Sequence, residues 1–220
     1  MARITTVVIV MFAFPVLVAC GDSGTGGTGG LGGGGSAGAG GAAGSGGAPP
    51  ELTCDYYCST IDARCFDGNQ QYSTVDDCLA VCDSFPVGAL GDTTGDSLGC
   101  RIYQVGFTKK AADTKCAHAG PSGGDQRGGA GGICGDGCEA FCNLEMQACT
   151  GANQQYATND DCMTACDAFP GSAAADDFDT GDTSGDTFNC RLYHATAAAT
   201  DPDIHCTHTK VGTPNDPCVM

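Results

Sequence analysis

The sequence predicts a mainly α-helical, disulfide-rich fold built from two tandem copies of a roughly three-helix, eight-cysteine module. Sixteen of the 17 cysteines lie beyond residue 50, in two sets of eight with matching spacing. Pairs of cysteines are separated by three residues, which places two sulfurs one turn apart on a helix. Each copy has about 80 residues and the chain has no tryptophan. Such small domains bury little apolar surface, so disulfides replace part of the core.

The duplication follows from the cysteine positions. The first set is Cys54, Cys58, Cys65, Cys78, Cys82, Cys100, Cys116 and Cys134. The second set is Cys138, Cys142, Cys149, Cys162, Cys166, Cys190, Cys206 and Cys218. Five equivalent pairs are offset by 84 residues, the next two by 90 and the last by 84. We therefore expect a first module at 51–134 and a second at 135–220.

Each module should begin with a helical hairpin. Cys54, Cys58 and Cys65 fall on one helical stripe, and Cys78, Cys82 and Phe85 fall on another. Two such helices predict an antiparallel pair joined by two disulfides. The predicted bridges are Cys54–Cys82 and Cys58–Cys78 in the first module, and Cys138–Cys166 and Cys142–Cys162 in the second.

Further helix signals complete the module. Thr74 precedes Asp77 by three residues, as in a capping box, and Thr158 precedes Asp161 in the same way. A third helix is expected at about 97–112, and at about 187–200 in the second copy. Its inner face would carry Leu98, Ile102, Phe107, Phe188 and Leu192. The pairing of the remaining cysteines stays open, because eight cysteines allow 105 arrangements.

The first residues predict an export signal. Arg3 is followed by an apolar run from Ile4 to Ala19, which is short for a membrane span and typical of a signal peptide at 1–19. Leu17-Val18-Ala19-Cys20 resembles the bacterial lipobox. That resemblance implies that the Cys20 thiol carries a diacylglyceryl group. Assigning Cys20 to lipid leaves an even set of 16 cysteines, as expected in an oxidising compartment.

A tether is predicted between the anchor and the modules. Residues 20–50 are mostly glycine, alanine, serine and threonine and end in Pro49-Pro50. A chain of this composition behaves as a flexible coil, with a reach of roughly 30 Å. The glycines have no fixed spacing and no Gly-Lys-Ser/Thr follows them, so they do not predict a phosphate-binding loop.

Composition and motifs exclude several functions. The formal net charge is −17, which disfavours binding to nucleic acid and to anionic lipid surfaces. The sequence contains no H-E-x-x-H or C-x-x-C motif, so we expect no catalytic activity and no cofactor. The expected partners are the membrane, through the lipid anchor, and an unknown component of the envelope or surface.

Three groups of residues are candidate sites. His194, His205 and His208 occur together only in the second copy and are candidate copper or zinc ligands. Acidic turns are candidate calcium ligands, with N-capping as the alternative. These acids are Asp92, Asp96, Asp176, Asp177, Asp179, Asp182 and Asp186. Arg101 and Arg191 follow equivalent cysteines, and each is expected to pair with a carboxylate of its own module or to form a binding hot spot.

The shared motifs include Asp-Cys-(Leu/Met)-x-x-Cys, Gly-Asp-(Thr/Ser), Cys-Arg-x-Tyr and the glycine-rich tether. With these motifs, the mature chain resembles the cysteine-rich lipoproteins predicted in myxobacterial genomes. The resemblance implies a lipid-anchored position in the cell envelope and no defined activity. Gly21 follows the lipidated cysteine, which favours the outer membrane. The leading hypothesis is a non-enzymatic surface protein for adhesion or recognition. The alternatives are a metal-binding envelope protein (copper, zinc or calcium) and an enzyme of unknown type.

Overall fold

The structure, a computed structural model, describes residues 50–106, 112–124, 132–170, 178–210, 212 and 216–219. The predicted signal peptide, Cys20 and all of the tether before Pro50 lie outside the described residues. Both modules belong to one structural unit, Gly47–Met220. Within the described ranges, no helix combines the length and apolar character needed to cross a membrane.

The described part of the chain is mainly helical, as predicted. The first module (module 1) contains α1 (Cys54–Arg64), α2 (Val75–Cys82), α3 (Leu98–Gly106) and α4 (Ala112–Ala119). The second (module 2) contains α5 (Gly137–Ala148), α6 (Asn159–Ala168), α7 (Phe188–Ala198) and α8 (Pro202–His205). Short 3₁₀ turns occupy Asp67–Asn69, Gly151–Asn153 and Cys206–His208. Among the described residues, extended pairing is limited to a bridge between Gly132 and Gly135.

A threonine caps the start of the second helix of each hairpin. The Thr74 hydroxyl accepts the Asp77 amide at 3.0 Å and donates to the Asp77 carboxylate at 2.8 Å. Thr158 and Asp161 repeat both contacts, at 3.1 Å and 2.8 Å. These bonds satisfy amide groups that the first turn of a helix leaves without partners. The predicted helix starts are confirmed.

All 16 cysteines beyond residue 50 form disulfides. The two predicted bridges of each hairpin are present, namely Cys54–Cys82, Cys58–Cys78, Cys138–Cys166 and Cys142–Cys162. The pairing left open by the sequence is Cys65–Cys116 and Cys100–Cys134 in module 1. Module 2 repeats it with Cys149–Cys206 and Cys190–Cys218.

The predicted third helix is present in both modules. α3 spans Leu98–Gly106, and residues 107–111 of its expected range lie outside the described residues, whereas α7 ends at Ala198, two residues before its expected end. The inner residues Leu98, Ile102, Phe188 and Leu192 are buried, and Phe107 lies outside the described residues. Each module then adds a fourth helical segment, α4 or α8, which the sequence analysis did not predict. These segments are short and are held by the bridges to Cys116 and Cys206.

One hydrophobic cluster runs through both modules. In module 1, the ring of Tyr57 packs edge-on against Tyr72 and Phe85. In module 2, Phe141 makes the equivalent edge-on contacts with Tyr156 and Phe169 and a further one with Phe188. The cluster includes the sulfurs of both hairpins, so the disulfides form part of the core that positions the remaining helices.

Candidate functional site

The three histidines singled out by the sequence lie together in module 2. His194 is on α7, His205 ends α8, and His208 ends the 3₁₀ turn that follows. The Nδ1 atoms of His194 and His205 are 2.9 Å apart, which is a hydrogen-bond distance. The ring centres of His194 and His208 are 4.7 Å apart. His208 Nδ1 also lies 3.4 Å from a carboxylate oxygen of Asp216. We call these four residues the histidine cluster.

Burial keeps the inner histidines of this cluster neutral. Burial, together with the neighbouring His208 and His205, lowers the pKa of His194 to about 4. Burial also lowers the pKa of His205, an effect that the carboxylates of Asp201 and Asp77 oppose. At neutral pH, one of the two facing Nδ1 atoms therefore donates to the other. A neutral imidazole is the form that binds a metal ion.

The histidine cluster does not have the arrangement of a finished three-nitrogen metal site. Among the described residues, the one trio whose ligand atoms lie close enough to share an ion is Cys190, His194 and Cys218. The two cysteine sulfurs are bonded to each other, so neither is the thiolate that zinc or copper binds. Binding of a metal by His194, His205 and His208 would require the rings to turn towards one point.

Module 1 fills the equivalent positions differently. Gln104 and Lys115 stand where module 2 has His194 and His205, and the Lys115 ammonium donates to the Gln104 side chain at 2.8 Å. His118 is the equivalent of His208, and its pKa is lowered by burial and by Lys115. The site is therefore specific to module 2, and module 1 provides an internal comparison.

The acidic turns serve as structural caps and ion pairs. A carboxylate oxygen of Asp92 accepts the Ala89 amide at 2.7 Å and the Ser97 hydroxyl at 3.2 Å. Asp182 accepts the Asn189 side chain at 3.1 Å. No trio of carboxylates close enough to share an ion occurs among the described residues. Asp176 and Asp177 lie outside those residues. The geometry supports the capping interpretation rather than calcium binding.

The two arginines pair with carboxylates of their own modules. Arg101 contacts Asp96 at 2.7 Å, and Arg191 contacts Asp186 at the same distance. Each guanidinium also lies over a phenylalanine ring of its own module. Both arginine side chains are fully buried. They are therefore structural, and the alternative of exposed binding hot spots is wrong.

An open groove lies on module 1, between α1 and α3. It has a volume of about 360 Å³, within the range of small-ligand and peptide sites. Its walls include Tyr56, Arg64, Leu90, Ile102 and Tyr103. Tyrosine and arginine are the residue types that contribute most often to binding energy at protein interfaces. The sequence analysis missed this groove, because its residues meet only when the two helices pack.

The sequence model of one protein family, the BfoA family C-terminal domain, matches residues 50–136 and again residues 136–219. The chain belongs to the BfoA family. The two matches confirm the duplication inferred from the cysteines, and each BfoA C-terminal domain contains one complete set of four disulfides. No match to the chain was found among curated proteins or among solved structures.

The two BfoA C-terminal domains contact each other through the loop before α2 of module 1. The Gln71 side chain donates to the Phe178 carbonyl at 2.7 Å. The Thr180 amide donates to the Gln70 carbonyl at 2.8 Å. Gln71 and Phe178 are almost completely buried.

Helix α2 of module 1 forms the second part of this interface. The Thr200 hydroxyl donates to the carboxylate of Asp77, which is 5% exposed. Ala80 shares a cleft with Ala148 and Ala199 of module 2. The Asp77 carboxylate also partly opposes the lowering of the His205 pKa by burial, so the histidine cluster lies beside the interface between the two domains.

Proposed function

We propose that this BfoA-family chain is a non-enzymatic, lipid-anchored protein of the cell envelope that presents two disulfide-stapled modules for adhesion or recognition. The observation that carries the proposal is the open groove of module 1. Its apolar walls and two tyrosines suit a protein or peptide partner better than a catalytic reaction. The disulfides support the proposal, because they keep the groove pre-formed and reduce the entropy lost on binding.

The groove provides a direct test of adhesion. Leu90 is 53% exposed on the groove wall, so Leu90→Arg should fold normally and place a charge where an apolar contact is expected. We expect cells that display the Leu90→Arg protein to attach at least fivefold less than cells that display the same amount of the natural protein on their surface. Ile204→Arg is the matched control, because Ile204 is equally exposed but belongs to module 2. Unchanged attachment of the Leu90→Arg cells would contradict the proposal.

A second candidate function is metal binding by the histidine cluster. It is favoured by the convergence of His194, His205 and His208 in module 2 and by the low pKa of His194, which keeps that ring neutral. If this function is correct, protein isolated from its native envelope will contain copper or zinc near one ion per chain. His194→Gln should remove that metal, because glutamine occupies the equivalent position of module 1.

The control for metal binding is His118→Ala, which removes the single histidine of module 1 from the equivalent site. It should leave the metal content unchanged. Elemental analysis of the same protein should also measure calcium, because calcium is the third metal that the sequence analysis considered. A metal-free protein that also fails to take up added copper or zinc would exclude this second function.

A further inference from the structure

The interface inside the chain joins two different surfaces. The α2 face of module 1 consists of Gln70, Gln71, Asp77 and Ala80. The α5/α7 face of module 2 consists of Ala148, Phe178, Thr180, Ala199 and Thr200. The two modules are copies of one another, so each also carries the surface that its partner uses. Because the contact is head-to-tail, it does not use the counterpart of the α2 face on module 2 or the counterpart of the α5/α7 face on module 1.

The unused surface of module 2 is the equivalent of the α2 face. The offset of 84 residues places Gln154, Gln155, Asp161 and Thr164 there, and we call these residues the α6 face. Asp161 and Thr164 are exposed, whereas Asp77 in module 1 is buried by the interface. The two glutamines and the aspartate are identical in both copies. The α6 face therefore keeps the groups that make the internal contacts.

The unused surface of module 1 includes the open groove. Arg64 is equivalent to Ala148 of the internal interface, and Leu90 is equivalent to Thr180. Both residues line the groove. In module 2 the corresponding surface is covered by α2 of the preceding module. Among the described residues, the groove is thus the open counterpart of part of a surface that the chain already uses for packing.

We propose that the groove binds the α6 face of a second copy of this chain, which extends the internal head-to-tail packing between molecules. The inference rests on the proposed function of the groove as a recognition surface and names its partner. The internal interface shows that these two kinds of surface fit together. The positive Arg64 and the negative Asp161 fall on opposite sides of the new contact, so the charges are complementary.

Such a contact is heterologous. A pair of bound molecules therefore still has one free groove at one end and one free α6 face at the other. Repetition therefore gives open chains of molecules on the envelope rather than closed dimers. Each contact uses one groove and one α6 face. A block of the groove in one molecule therefore leaves its α6 face available to another molecule.

Photo-crosslinking in the envelope tests this arrangement with the full chain. One copy carries a photo-crosslinking phenylalanine derivative in place of Leu90, and a second copy carries a different affinity tag. We expect a covalent adduct between the two tags, and peptide mapping should place it within residues 154–164 of the second copy. An adduct that maps elsewhere on the chain would overturn the proposal.

Thr164→Arg separates the contact between molecules from effects on folding. In the second copy it should lower the yield of adduct at least tenfold. In the copy that carries the photo-crosslinker it should have no effect, because that molecule uses its groove. Thr207→Arg, at an exposed threonine outside α6, is the control and should keep the adduct.

The outcomes distinguish the two proposals. An adduct exclusively with a different protein, together with loss of attachment by Leu90→Arg, would keep the recognition function and overturn self-association. Absence of any adduct would also overturn self-association. Equal effects of Thr164→Arg in either copy would indicate a folding defect and contradict the head-to-tail contact.

Discussion

Two buried ionisable side chains distinguish module 2 from module 1 at the residue scale. Glu145 occupies the position of Ile61, and His194 occupies the position of Gln104. Burial raises the pKa of Glu145 to about 7, an effect that Thr209 partly opposes. Burial and neighbouring histidines lower the pKa of His194 to about 4. Each residue therefore makes the stability of module 2 depend on pH, and the two dependences have opposite sign.

The first prediction concerns Glu145. Its pKa is higher in the folded protein than the ordinary value of 4.5, so its contribution to stability is greatest below pH 4.5 and is lost as the pH rises to about 7. Glu145→Ile should therefore raise the free energy of unfolding at pH 8 by about 1–3 kcal/mol. Denaturant unfolding with intact disulfides measures this change. Equal stability of the variant and the natural protein at pH 8 would contradict it.

The second prediction concerns His194. Its pKa is lower in the folded protein than the ordinary value of 6.5, so its contribution is present above pH 6.5 and is lost as the pH falls to about 4. His194→Gln should remove this loss, so any gain in the free energy of unfolding between pH 5 and pH 7 should be smaller in the variant than in the natural protein. Unfolding curves at these two pH values test the sign. Gln104→Asn in module 1 is the control and should leave the pH dependence unchanged.

The disulfide pattern links each helix to the others at the element scale. The hairpin bridges enclose separations of 20 and 28 residues, whereas Cys65–Cys116 and Cys149–Cys206 span 51 and 57 residues. The longer bridges attach the short helical segments α4 and α8. Isolated helices of 4 to 8 residues are not stable in water. These segments therefore depend on the covalent bridges more than α1 or α5 does.

The third prediction is that reduction unfolds the modules. A disulfide contributes about 2–4 kcal/mol, so four of them contribute roughly 8–16 kcal/mol in each module, which is as large as the usual 5–15 kcal/mol stability of a domain. Full reduction should abolish most of the helical circular dichroism. Partial reduction, followed by alkylation and mapping, should show which bridges open first. Helical signal that persists after complete reduction would show that the apolar core is sufficient alone.

The sequence predicted the hairpins well, because their signals are local. Cys54 and Cys58 lie one turn apart, and Thr74 with Asp77 marks a helix start within four residues. The pairing of Cys65 and Cys100 was left open, because it depends on contacts between residues far apart in the chain. α4 was missed since its sequence has no apolar stripe, although Pro202 is a start signal that would have identified α8.

The candidate sites also divide into those with a signal in the sequence and those that form only when distant residues meet. The three histidines were singled out because the complete set occurs only in the second copy, and the structure brings them together. The groove between α1 and α3 was not predicted, because it arises when Tyr56 and Leu90 meet in the folded module. The buried positions of Arg101 and Arg191 could not be read from sequence either, since charged residues are seldom fully buried.

At the scale of the whole molecule, the modules and their proposed anchor have separate roles. The fourth prediction is that Cys20→Ser abolishes lipid labelling and releases the protein from the membrane fraction. Two or three acyl chains hold a protein firmly, so the release should be nearly complete. Fractionation with detection of the bound lipid measures both effects. The modules should keep their disulfides, because Cys20 lies more than thirty residues before Cys54.

The control for this prediction is a test of folding. The disulfides of the Cys20→Ser protein are mapped under non-reducing conditions. A variant that keeps all eight bridges but no longer sediments with membranes would separate anchoring from folding. A variant that still sediments and still carries acyl chains would show that the lipid is attached elsewhere.

None of the eight bridges crosses from one module to the other, since those of module 1 end at Cys134 and those of module 2 begin at Cys138. A gene that gains or loses one whole repeat therefore never creates an orphan thiol. The same confinement matters during oxidative folding, because the N-terminal repeat can complete its four bridges without the C-terminal one. A chain of this design can lengthen in evolution by whole repeats without any change to its oxidative folding.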